Sequence, residues 1–172
     1  TDRYLDFAYV QASSRGASPG RSSDPAAWLS MPVAGRFTTC RQQAPVLNAR
    51  YSPTLTAVTA GATDPAGDRV ADIIPDGAIT DRDGTALEAI AVIAADSRHG
   101  TWQYQVGPGA AWVDMGNPTA NSAHLLGPQA RVRFLPQAGW RGKATLTFRA
   151  WDMGTGTEGD TANTRQNGGC TA

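Results

Sequence analysis

From Ala44 onward, apolar and polar residues alternate in short runs, and turn residues separate the runs. In GTWQYQV, Trp102, Tyr104 and Val106 fall on one face; in ARVRFLP, Val132 and Phe134 alternate with Arg131 and Arg133. In KATLTFRAWD, Ala144, Leu146, Phe148 and Ala150 share a face. A period of two predicts half-buried strands. APVLNA predicts a first edge strand, because its entry proline cannot donate to a ladder. PTLTAVTA, RVADII, AWVDMG and HLLG predict further short strands, and PDGAITDRDG places two turn signals around Ile79. LEAIAVIAAD has apolar residues at Leu87, Ile90, Val92 and Ile93, and a helix would suit its propensity. A strand is assigned there, because SRHG closes it as a turn and a helix would stand isolated among strands. GATDPAGD, PDG, GPGA and QAGWRG supply turn chemistry between the runs. Strands recurring roughly every ten residues predict an all-β sandwich with Greek-key connections.

Residues 1–43 differ. YLDFAYVQ, with Tyr4–Val10 at its centre, predicts a strand, and Ala34–Thr39 predicts another. Between them lies ASSRGASPGRSSDPAA, a Ser/Gly/Pro-rich stretch of linker composition. The expected organisation is an N-terminal extended segment over 1–43 and one β-domain over 44–172. The chain begins at Thr1 with no visible leader, which fits a processed chain or a fragment.

Composition narrows the function classes. The 172 residues carry 15 basic and 15 acidic side chains, so no global basic field invites nucleic acid. No apolar run approaches the roughly 18 residues of a membrane helix, so membrane insertion is not expected. His99 and His124 are the two histidines, and neither accompanies a G-x-S-x-G nucleophile elbow. His99 in RHGT is expected to be an exposed turn residue. The chain is not expected to be an enzyme. Of the five tryptophans, Trp102, Trp112 and Trp151 sit in strand patterns, where packing is the commoner role. Trp28 and Trp140 lie nearer to loops, which keeps a carbohydrate-binding module of a secreted protein as the alternative function.

Two features could carry a site. TDRDG places Asp81 and Asp83 on one turn, with Gly84 permitting a sharp bend. Calcium takes six to eight hard oxygens, and two carboxylates with a carbonyl on one turn supply part of such a set. Asp64, Asp96 and Asp152 lie at other strand ends and are the remaining candidates. The competing role is simpler: Asp bonds its own backbone in turns. The EF-hand spacing is absent. Cys40 and Cys170 lack zinc-site spacing. A bridge between them would close most of the chain into one loop, contributing roughly 4–5 kcal/mol less any strain. The alternative is two free thiols.

Taken in order, APVLNA…TLTAV, ITDRDGTALEAIAV, GTWQYQVGPGAAWVDMG and LLGPQARVRFLPQAGWRGKATLTFRAWDMGTGTEGDTANT resemble the cadherin-like, immunoglobulin-like tandem repeats of large bacterial cell-surface and adhesion proteins. The pair GTWQY…AW and the run RVRFLP…G…TFRAWD are its more specific parts; DRDG alone is not. The resemblance implies an extracellular β-sandwich of about seven strands with a structural or adhesive role. It also implies calcium held by Asp81, Asp83 and Asp152, with Asp64 and Asp96 less securely placed. Against the tandem pattern, the stretch ending NGGCTA is not followed by a last strand, while PVAGRFTTCRQQ precedes APVL. One strand stands as if moved from the end to the front. A sandwich lacking a strand exposes an edge that strand addition can repair. Three readings are open: donation of Tyr4–Val10 or Ala34–Thr39 to a neighbouring copy, which builds a filament; filling of the domain's own gap by Ala34–Thr39, stapled by Cys40–Cys170; or a fragment that merely ends early.

Overall fold

The computed structural model describes residues 44–48, 50, 51, 53–81 and 89–165. Cys40, Asp83, Cys170, Trp28 and both N-terminal strands expected above lie outside the described residues, and so does the bridge.

The described chain is mostly β. Its elements are β1 (Val46–Leu47), β2 (Asp68–Arg69), α1 (Val70–Ile73), β3 (Ile79–Thr80), β4 (Ala89–Ala95) and β5 (Gly100–Gln105). Then follow β6 (Val113–Asp114), β7 (Ala123–Leu126), β8 (Arg131–Pro136), β9 (Leu146–Trp151) and β10 (Thr161–Ala162). Two four-stranded sheets form, in the orders β10-β7-β4-β9 and β2-β8-β5-β6, and β1 pairs with β3. All these pairings are antiparallel.

The alternation explains the layering. Ile90, Val92, Leu126, Leu146 and Phe148 of the first sheet and Trp102, Tyr104, Val132 and Phe134 of the second bury into one cluster. Alternate side chains of a strand point to opposite faces, so each strand gives half its residues to this core. Trp102 and Phe134 lie at adjacent ladder positions and pack with ring centroids 5.1 Å apart. This arrangement is compatible with a β-sandwich.

The first sheet is also covered on its other face. Ala89, Ala91, Ala123, Leu125 and Trp151 form a second buried cluster, with Ile93 and Met153 packed against it. Loop 152–160 holds this face. Trp151 Nε1 donates to the Thr155 carbonyl at 2.8 Å, and the Gly127 N–H donates to Glu158 Oε1 at 3.1 Å.

Three local outcomes depart from period two. β4 is a strand, but its register with β9 shifts between Val92 and Ala94, so Ile93 is an extra, bulged residue. RVADII begins as a strand and then turns: Val70, Ile73 and Ile74 are buried at i, i+3 and i+4, and the Ile74 N–H donates to the Val70 carbonyl at 2.9 Å. That is helical spacing, and one turn of helix replaces the expected strand. PTLTAVTA forms no named strand among the described residues. It is held instead by Thr56, whose N–H and hydroxyl both donate to the Asp68 carboxylate, at 2.8 and 2.7 Å.

Candidate functional site

The four described candidate carboxylates do not gather in one place. Asp81 directly follows β3 and is half-buried; residues 82–88 join it to the start of β4. Asp152 directly follows Trp151, the register partner of Ala89. Asp152 therefore stands at the Ala89 end of β4, while Asp81 is separated from that end by residues 82–88 and Asp83 lies outside the described residues. Asp152 Oδ1 accepts from the Gly154 N–H at 2.8 Å, the local turn bond its residue type favours.

Asp96 lies at the other end of β4, where its N–H donates to the Thr145 carbonyl at 2.9 Å. The six steps from Ala89 to Ala95 rise about 20 Å at about 3.3 Å each. Calcium–oxygen distances are only 2.3–2.6 Å, so Asp96 and Asp152 cannot share an ion. Asp96 is occupied besides. Arg98 donates to it from Nε at 2.9 Å and from Nη2 at 2.6 Å, and Arg98 N–H adds a 3.2 Å bond. Those side-chain bonds first, and the backbone bond second, lower the Asp96 carboxyl to about 2. Its carbonyl accepts from Trp102 Nε1 at 3.0 Å, which ties the turn to the core.

Asp64 is spent in a different layer. It pairs with Arg133, on the face of β8 opposite the core. Arg133 Nε donates to Gln103 Oε1 at 2.8 Å, and Nη1 donates to the Pro65 carbonyl at 3.0 Å. Its guanidinium stacks on Trp112, 4.0 Å from the ring centroid. Arg131 Nη1 reaches the neighbouring Gly67 carbonyl at 2.9 Å. The 64–67 turn is thus fastened to β8 by two arginines that alternation had marked as solvent-facing. The usable signal was the pairing of Arg-x-Arg on one strand with a Trp and an Asp-rich turn elsewhere.

Among the described residues, no three His, Cys, Asp or Glu side chains stand close enough to hold a metal ion. Of the DRDG stretch only Asp81 is described, and Asp83 lies outside the described residues.

The described tryptophans are engaged by protein. Trp102 is fully buried. Trp151 is buried beneath loop 152–160, and Trp112 lies under Arg133. Trp140 stacks on exposed His99 at 5.1 Å and meets Phe134 edge-on. His124 Nε2 donates to the Met115 carbonyl at 2.9 Å, and its ring packs on Tyr104.

No family model, curated protein or solved structure matches the chain.

Proposed function

We propose that this chain is a structural, non-catalytic module of the immunoglobulin-like or cadherin-like Greek-key class, part of an extracellular cell-surface adhesin or appendage. One observation supports this reading above the others. Two four-stranded sheets share one core, and among the described residues several polar side chains fasten loops to it. Arg133 and Asp64 hold the 64–67 turn, Arg98 and Asp96 hold the β4–β5 turn, and Glu158 holds loop 152–160. Such a module works as a stiff spacer or a presenting surface. Copies of it associate in a tandem array or filament. Calcium at Asp81, Asp83 and Asp152 would stiffen one end of β4.

A screen of the purified chain against immobilised oligosaccharides tests the structural reading against its alternative. The structural reading predicts no saturable binding. Saturable binding that is lost in Trp140→Ala or His99→Ala would instead make this a carbohydrate-binding module.

A further inference from the structure

We propose that copies of this domain dock head to tail, the basic and aromatic pole of one copy seating on the acidic loop 152–160 of the next. The inference rests on the module reading above and names the contact that sets its copies in series.

The two poles lie at opposite ends of β4. Its register with β9 puts Ala89 beside Trp151 and Ala95 beside Leu146. Loop 152–160 leaves β9 at the first end. Turns 96–99 and 137–145 meet at the second, where the Asp96 N–H donates to the Thr145 carbonyl. The length of β4 sets the poles about 20 Å apart.

Charge is sorted between them. Turns 96–99 and 137–145 carry Arg98, Arg141 and Lys143 against one acid, Asp96, and Arg98 holds that acid. All three basic residues are exposed. Loop 152–160 carries Asp152, Glu158 and Asp160 and no base. Arg69 and Arg131 lie toward the same end as that loop, but Arg69 pairs with Asp72 and Arg131 reaches back to the Gly67 carbonyl. The whole chain has a formal net charge of zero. Its attraction for a partner therefore comes from the sorting of charge and not from an excess of one sign. Another copy of the chain carries the complement of each pole.

Both poles are built before contact. Trp140 stacks on exposed His99 with ring centroids 5.1 Å apart and meets Phe134 edge-on. The Trp140 N–H donates to the Gln137 carbonyl at 3.1 Å, and the Gln137 N–H to the His99 carbonyl at 2.9 Å. Gly142 lies so close that a Cβ there would meet the Trp140 ring at 2.7 Å. Arg141 is thus displayed from a fixed aromatic centre. On the other pole, the Gly159 N–H donates to the Leu125 carbonyl at 2.8 Å and the Leu125 N–H to the Asp160 carbonyl at 3.0 Å. The backbone that carries Asp160 is thereby laddered to β7. Loops ordered in advance lose little freedom on docking, and Trp with Arg at its rim is the composition of interface hot spots. Because the poles differ and stand at opposite ends, the contact is heterologous. It runs on into an open row wherever the rotation between copies does not close a ring.

The test uses the full chain at about 20 mM salt, where surface charge is little screened, with a chelator to remove metal bridges between carboxylates. Sedimentation equilibrium should show a mean mass that rises with concentration. Raising the salt to about 500 mM should weaken the association by on the order of tenfold. Arg141→Glu and Asp160→Arg should each weaken it by on the order of tenfold or more, with little change in melting temperature, since both side chains are exposed. An equimolar mixture of the two variants should associate again, because the unaltered acidic loop of the first meets the unaltered basic pole of the second. Three outcomes overturn the proposal: folded monomers at every concentration at low salt, association that neither salt nor either charge reversal weakens, or a mixture of the variants that stays monomeric. Saturable oligosaccharide binding with self-association intact would overturn the module reading and leave this contact standing.

Discussion

Arg133 is buried and Asp64, its partner, is not: the arginine side chain is 8% exposed and the aspartate side chain 85%. The asymmetry says which partner matters. Arg133 also stacks on Trp112 and binds Gln103 and the Pro65 carbonyl, so its removal leaves acceptors and an aromatic face without their donor. Arg133→Ala should destabilise the domain by about 1–3 kcal/mol. Asp64→Ala loses one exposed pair and should cost about 1 kcal/mol or less. Urea unfolding of the two variants checks the order; equal losses would contradict it.

The Asp96–Arg98 pair predicts a pH dependence. The Asp96 carboxyl is lowered from 3.8 to about 2, chiefly by the side-chain bond from Arg98. A carboxyl whose folded pKa is depressed stabilises the fold above its unfolded pKa, and that contribution is lost as pH falls through the folded pKa. The loss from this pair should therefore run from about pH 4 down to about pH 2. Arg98→Ala should flatten that part of the stability curve and leave the neutral range almost unaltered in slope. The check is unfolding free energy measured across this range in both proteins.

Loop 152–160 should depend on Gly156. Its φ is +84°, and a Cβ there would run into Leu125 Cδ1 of the cluster the loop covers. Gly156→Ala should cost about 1–3 kcal/mol through backbone strain and displacement of Leu125. Lifting the loop should also expose Trp151, whose indole N–H is bound to Thr155. Lower thermal stability together with a red-shifted Trp emission is the expected result.

These positions show what the sequence made legible. Alternation placed β5, β8 and β9 and their inward residues, because burial on one face of a strand leaves a period of two; β4 was placed by its closing turn and its strand neighbours. It misplaced Arg133, because the outer face of β8 is covered by a distant turn and by Trp112, and no local pattern encodes a cover 69 residues away. The apolar pair Val92–Ile93 resembled a helix because a bulge and a second buried face interrupt the alternation. Val70, Ile73 and Ile74 carried true helical spacing, but over one turn only, too short to stand out from a strand. The candidate acids were legible as turn residues. Their separation by the length of β4 was not, since sequence does not say which end of the sheet a turn occupies.

The calcium proposal now has a sharper form. Calcium at millimolar concentration should raise the melting temperature, and Asp81→Ala or Asp152→Ala should abolish the rise. Asp96→Ala and Asp64→Ala should keep it, because their carboxylates are held by Arg98 and Arg133 away from that end of β4. Differential scanning fluorimetry of the four variants decides this. A rise that survives Asp81→Ala would remove the assigned site.

The central claim is that this is a structural module working outside the cell, and external proteolysis of intact cells tests it most directly. Cells producing the protein are treated with protease, washed, and probed with an antibody raised against the folded domain. The account predicts that the antibody labels untreated, unpermeabilised cells and that protease removes the signal. Labelling that appears only after lysis, and resists external protease, would contradict it.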